Sequence, residues 1–339
     1  MIINYHHILY LSQGDIESID LNMSEAINIT AETFVEHGLD KVIMPDKTSI
    51  DVEGNKFFHS MPAMVQAKDS VGVKWVSYYP GNKISNHVPD ASCIIILNDT
   101  STGLPLCIME GLYITYIRTA AAAAVTAKKL GNPHAKSLGI IGAGELSRWS
   151  LKAILSAVPS IKQVRVKSRT TQSRDKFCDE MQELYKEVEF IKDESMELLV
   201  SESDIVVSTT PQPLTPFLEF DWLKKGGLAL PLDMIAAWKI DCLEKADHVV
   251  TDDKRFLSEL ISQKYGNVPA ERQFIEFGEV MKNEEPMWSN EKKIIAFMNG
   301  VGSTDVTVGK YIYDKAKNEN IGTVLPLLGN RSDAVVLKH

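Results

Sequence analysis

From Ser137 onward, short unbroken apolar runs alternate with longer amphipathic stretches, the rhythm of a mainly parallel α/β sheet. SLGIIG, QVRVKS, VEFI, DIVVSTT, LALPLD, HVVTDD and KIIAFMNG are predicted strands, and 145–157, 171–186 and 303–318 are predicted helices. Strands that are apolar at successive positions suit a sheet covered on both faces. The texture differs before residue 130. There KFFHSMP, GVKWVSYYP and ASCIIILND read as strands, with turn residues such as Pro80-Gly81-Asn82 between them. An alanine-rich helix is predicted from about 108 to 130. The tail 319–339 has no strong pattern and is expected to pack back on the first domain. The pattern predicts an α/β chain of two domains: an α+β domain from 1–128 with 319–339, and a parallel α/β domain over 129–318.

The length of 339 residues agrees with two domains of ordinary size. Hydrophobic residues at 44% and charged residues at 24% exclude a disordered chain. A net charge of −9 argues against a nucleic-acid partner, whose phosphates require clustered Lys and Arg. Four scattered cysteines form no C-x-x-C pair, so neither a disulfide scaffold nor a structural zinc site is expected. The eight histidines show no H-E-x-x-H spacing, and no metal is expected. The start, MIINYHHILYLSQGD, lacks the basic and long apolar regions of a secretory leader, and no run of ~18 apolar residues could span a bilayer. These features predict a soluble cytoplasmic protein with no membrane partner.

The sharpest local motif is Gly142-Ala143-Gly144-Glu145-Leu146-Ser147, after a predicted strand and at the start of a predicted helix. That is the context of a dinucleotide-binding turn in a Rossmann-type domain. The first glycine permits the tight turn, the second lets the backbone approach a pyrophosphate, and helix N–H groups meet the negative charge. Ser147 stands where a third glycine or alanine is usual and is small enough for close packing. At the end of the next strand, Lys167-Ser168-Arg169-Thr170 offers two cations and two hydroxyls and no carboxylate. An acid there would hold the ribose hydroxyls of NAD(H). Ser168, Arg169 and Thr170 instead favour a 2′-phosphate, hence NADP(H) preferred with NAD(H) possible. Thr209, at the end of DIVVSTT, completes the expected cofactor set.

A second signal comes from isolated charges. Lys74 is alone in SVGVKWVSYYPGN, Arg118 in GLYITYIRTAAAAAVTA and Asp233 in GGLALPLDMIAAW. Charges stranded in apolar runs are costly unless paired or used. Two cations suit a substrate carboxylate. A carboxylate at a strand end suits an amine or imine and proton transfer to it. The inferred ligand is a small amino, imino or oxo acid.

With these residues in place, the chain resembles the ornithine cyclodeaminase/μ-crystallin family over nearly its whole length. GVKWVSYYPGN, ILNDTSTGLPLCIMEG, IRTAAAAAVTAKKL, GIIGAGE and the Asp233 segment carry the resemblance. It implies a homodimer whose subunits hold a Rossmann domain inserted into a substrate-binding and dimerisation domain. It also implies that Lys74 and Arg118 hold the α-carboxylate, Thr119 lies beside the cofactor phosphates, Asp233 contacts the amine at the reacting carbon, Asp233 and Lys74 are the catalytic residues, and Met61 lines the pocket. Three departures stand out. Lys47 occupies a position where most members carry arginine, which keeps the charge without the planar fork. His59 replaces the glutamate that cyclodeaminases place near the distal amine. Met-Ile-Ala-Ala-Trp-Lys after Asp233 replaces the usual Pro-Gly-Lys. Lys47 and His59 are therefore candidate substrate residues, His59 equally a packed histidine. The expected activity is NAD(P)H-dependent hydride transfer at the C–N carbon of a small L-amino or imino acid. The alternatives are an ornithine or lysine cyclodeaminase releasing ammonia, an opine-type dehydrogenase, or a non-catalytic crystallin-like binder.

Overall fold

The computed structural model describes residues 7–211, 215–266, 274–283 and 285–327. The chain forms two compact units, Met1–Leu21 with Lys41–Thr115 and Gly302–His339, and Asn22–Asp40 with Tyr116–Val301.

The second unit is built on eight parallel strands. Their order is Glu189–Lys192, Gln163–Lys167, Ser137–Ile141, Ile205–Ser208, Leu228–Pro231, Ile294–Phe297, His248–Thr251 and Ile275–Glu276. The chain order reverses beside Ser137–Ile141, which makes the end of that strand the switch point where such sheets bind ligands. Ser137–Ile141, Ile205–Ser208 and Leu228–Pro231 are buried at every position, which is why they carry no charge. The predicted Rossmann-type sheet is present, with helices Glu145–Ala157 and Thr171–Leu184 close to their expected bounds.

The first unit is an eight-stranded, mostly antiparallel sheet. Its main path runs Thr323–Pro326, His7–Leu11, Pro105–Glu110, Ala91–Asn98, Ser70–Tyr78, Lys56–Val65 and Val42–Ile43, and Thr48–Val52 also pairs with Lys56–Val65. Helix Gly302–Glu319 packs on its central strands. Positions 70, 72 and 74 of one strand and 93, 95 and 97 of the next are buried on the helix side. Trp75 and Ile94, in register on the other face, are 39% and 42% exposed.

The units differ from the expected domains in three helices: most of Leu112–Leu130, from Tyr116 on and with Arg118, groups with the parallel unit rather than with the first domain. Gly302–Glu319 groups with the antiparallel sheet, although it follows directly from a strand of the parallel one. Met23–Gly38 groups with the parallel unit because it packs on Phe277–Lys282. Phe34 meets Phe277 edge-on at 4.9 Å, and a Cβ on Gly38 would strike the Gly278 carbonyl. The alanine-rich helix begins at Leu112 rather than near 108, since Pro105–Glu110 is a strand. Glu110 then accepts from the Leu112 and Tyr113 amides at 2.6 and 3.0 Å, satisfying the first turn. The tail does return to the first unit: Thr323–Pro326 pairs antiparallel with His7–Tyr10, and residues 328–339 lie outside the described residues.

Candidate active site

In the parallel unit, Gly142 adopts φ +113°, a conformation that favours glycine, and a Cβ there would meet the Thr209 hydroxyl at 2.6 Å. Its amide donates to the Lys167 carbonyl at 2.9 Å, which sets the turn beside Ser168, Arg169 and Thr170. Thr209 lies beneath the turn, its hydroxyl 2.7 Å from that of Ser147. It braces the turn from inside. Arg148, unremarked by its sequence pattern, does so from behind: it donates to the Ala143 carbonyl at 2.9 Å, pairs with Glu180 at 2.5 Å and lies over the Phe177 ring.

The outward side of the turn fits a dinucleotide. Gly144 and Glu145 are exposed and Leu146 is half-buried. A Cβ on Gly144 would meet nothing within 4 Å, and as N-cap of Glu145–Ala157 it leaves the helix start without a side-chain cap. Free N–H groups at the start of a 13-residue helix, with open space before them, are what a pyrophosphate needs. Beyond the turn, Arg169 is exposed and Ser168 half-buried. The Thr170 hydroxyl accepts from the Ser173 amide at 3.2 Å and so caps the following helix.

Asp233 follows Leu228–Pro231 and is 6% exposed. The Thr210 hydroxyl donates to its Oδ2 at 2.9 Å, while Oδ1 is buried without a hydrogen-bond partner. Burial pushes the carboxyl up to about 6, against the opposing pull of the Thr210 and Ser208 hydroxyls. Met234 and Ile235, where the family's usual Pro-Gly-Lys is absent, both take left-handed φ values of 53° and 55°. For the β-branched Ile235 that is strained, and the strain lies two residues after the carboxylate. Arg118 is 5% exposed on Leu112–Leu130, with Thr119 beside it at 9%. A Cβ on Gly300, at φ +84°, would come within 2.4 Å of the Arg118 guanidinium, so the glycine makes room for it. The Gly300 amide itself donates to buried Asp252 at 2.7 Å.

In the antiparallel unit, Met61 and Lys74 are direct cross-strand partners. They are 5% and 1% exposed. Lys74 Nζ lies 2.8 Å from Asp305 Oδ2, a residue the sequence motifs do not single out. Asp305 nevertheless carries the signature that marks the other three charges, being alone in the apolar stretch IIAFMNGVGSTDVTVG. His59, one step along the same strand face, stacks on Phe57 with centroids 4.1 Å apart. Burial first, then the Lys47 and Lys74 cations, push its imidazole down to about 4, with Asp51 opposing, so it is neutral near pH 7. Lys47 is half-buried close enough to act on it. His59, Met61 and Lys74 thus gather on one sheet face, and the Lys47 cation acts on His59 from the segment before Thr48–Val52. Gly142–Ser147, Thr209 and the 168–170 loop gather at one end of the parallel sheet.

All four cysteines are free and buried. Among the described residues no cluster of His, Cys, Asp and Glu could hold a metal ion, and no helix is long and apolar enough to cross a membrane.

A dinucleotide turn at the switch point of a parallel sheet, joined in one chain to a buried strand-end carboxylate, defines a nicotinamide-dependent oxidoreductase acting at carbon–nitrogen bonds. The chain belongs to the ornithine cyclodeaminase/mu-crystallin family, whose model matches residues 9–320. It is 29% identical over 336 residues to N-((2S)-2-amino-2-carboxyethyl)-L-glutamate dehydrogenase of Staphylococcus aureus, covering 94% of this chain and 98% of that one. The structure of Thermococcus litoralis Δ1-pyrroline-2-carboxylate reductase in complex with NADH and L-proline superposes with a TM-score of 0.83 at 28% identity, covering 93% and 99% of the two chains. An archaeal alanine dehydrogenase dimer with bound NAD superposes with a TM-score of 0.84 at 26% identity, covering 95% and 100%.

Proposed function

We propose that this protein reduces a small imino acid to an L-amino acid, the imine arriving preformed or arising from an oxo acid and an amine. The observation that carries this reading is Asp233, a buried carboxylate with one oxygen unpartnered at the end of a parallel strand. An ionised carboxylate there stabilises a protonated imine, and an iminium accepts hydride far more readily than a neutral imine. The bound dinucleotide supplies the hydride from C4 of its nicotinamide. In this reading Arg118 and Lys74 hold the α-carboxylate, Thr119 lies beside the cofactor phosphates, and Met61, His59 and Lys47 face the side chain. The Gly142–Leu146 turn holds the pyrophosphate, with Thr209 supporting it.

Exposed Arg169 and half-buried Ser168, with no acid at 167–170, support a preference for NADP(H). Thr170 is already engaged as a helix cap, so the 2′-phosphate falls to Ser168 and Arg169. The apolar sheet face bearing Trp75, Ile94 and Tyr10 supports a homodimer, as in the alanine dehydrogenase neighbour. Four free cysteines support a cytoplasmic location.

The test is reduced-dinucleotide consumption, with NADH and NADPH in parallel, against Δ1-pyrroline-2-carboxylate and against pyruvate, oxaloacetate and 2-oxoglutarate with ammonia or amines. Turnover with one or more of these is expected, with NADPH favoured. Ammonia release from ornithine or lysine without net dinucleotide consumption would replace the reading by a cyclodeaminase.

A further inference from the structure

The Lys74–Asp305 pair stands out because burial makes it expensive. The two side chains are 2% and 0% exposed, and Lys74 is flanked in register by Met61 and Ile95. Taking two ions out of water offsets most of their mutual attraction, and an apolar pair of equal volume would pack at least as well. Packing therefore gives no reason for these two residues. Function does. A lysine must carry its proton to hold a carboxylate, and a buried lysine without a counter-charge tends to surrender it. Asp305 supplies that counter-charge from the first turn of Gly302–Glu319, where the helix dipole favours an anion.

We propose that Asp305 is the positioning residue for Lys74: it keeps the lysine charged and aimed, so that Lys74 meets the substrate carboxylate as an oriented donor rather than as a bare cation. The Lys74–Asp305 pair is neutral as a whole, so Lys74 contributes direction to the carboxylate more than net charge. This inference rests on the proposed function.

The groups facing the pair from neighbouring strands leave the pH readout clear. His59 is pushed down to about 4 and the Cys93 thiol up to about 11 by burial, so neither changes charge across the neutral and mildly alkaline range. The Lys47 cation also acts on His59, and Glu110 acts on Cys93. The experiment uses the full chain with NADPH and whichever imino acid of the panel above the wild type turns over fastest. Asp305→Asn should raise KM for the imino acid about tenfold or more, and kcat/KM should fall above about pH 8, where the wild-type profile stays flat. NADPH affinity by nicotinamide fluorescence should not move. Asp305→Glu keeps the charge on a longer arm, so it should restore the flat profile while leaving KM raised several-fold. A folded Asn variant with wild-type KM and profile overturns the proposal. If the Asn variant does not fold, the Glu variant decides, and an unchanged KM there overturns it equally. Absence of turnover by the wild type with every imine tested removes the proposed function and this inference together, whereas wild-type turnover with indifferent variants removes the inference alone.

Discussion

In the parallel sheet, the central strands are buried from end to end, and polar groups collect past their C-terminal ends: the Gly142 turn, Thr209, Thr210 and Asp233. In the antiparallel sheet, Lys74 and Met61 stand in mid-strand, on the face that helix Gly302–Glu319 covers, while the other face presents Trp75 and Ile94 to solvent. A sheet wrapped on both faces offers chemistry only at its rim. A sheet covered on one face can present a charge from its middle, provided the covering helix returns the opposite charge.

The largest expected effect tests the rim. Asp233→Asn keeps shape and removes charge, and should lower kcat by roughly 10²–10⁴-fold with dinucleotide affinity unchanged. With its carboxyl at about 6, wild-type kcat/KM should fall as pH drops below that value, and this acid limb should vanish in the variant. An active Asn variant would reduce Asp233 to a turn residue and break the comparison on that side.

A smaller effect is expected at the glycine turn. Gly142→Ala forces a Cβ against Thr209 at positive φ, a strain of about 1–3 kcal/mol. Dinucleotide binding, read by nicotinamide fluorescence, should weaken roughly 5–150-fold while the antiparallel unit is untouched. Equal affinity would show that the turn relaxes and that the rim is less tightly specified than its packing implies.

The smallest effect compares two histidines, His37 in the parallel unit and His59 in the antiparallel one, both pushed down to about 4 by burial. A histidine held neutral in the fold contributes stability that is complete above its ordinary value of 6.5 and is lost as pH falls toward 4. His37→Gln should flatten the decline in urea stability over that window, by up to about 1.4 kcal/mol per pH unit. In His37 the opposing influence is Asp253, whereas at His59 two lysines reinforce burial. His59→Gln should therefore also change substrate KM, and His37→Gln should not. Matching behaviour of the two variants would erase the distinction between a packed histidine and a site histidine.

What was legible in the sequence follows from the same physics. The glycine turn shows itself because strand, turn and helix are contiguous. Lys74, Arg118 and Asp233 show themselves because an isolated charge in an apolar run is costly wherever the chain goes. Asp305 obeys that rule too, but its meaning depends on Lys74, far upstream, which no local window connects to it. Likewise, nothing in Met23–Gly38 announces that its packing partner is Phe277–Lys282. The misplaced helix start near 108 has a local cause: MEG reads as helical until Pro105–Glu110 is seen to pair with its neighbouring strands.

The pairing of Lys74 with Asp305 has a consequence for the order in which the protein is made. The two residues are 231 positions apart, and Thr323–Pro326, which closes the sheet edge beside His7–Leu11, comes later still. At a synthesis rate of ~5–20 residues per second, the ribosome needs roughly 12–46 s to travel from one charge to the other. During that interval the antiparallel strands have neither their covering helix nor the acid that neutralises their central lysine. The parallel unit, complete by Val301, can form first, and the antiparallel unit must wait for the last segment of chain. Truncation directly after Val301 would therefore spare the parallel unit and leave the other with an open apolar face and an uncompensated cation, a natural target for chaperones.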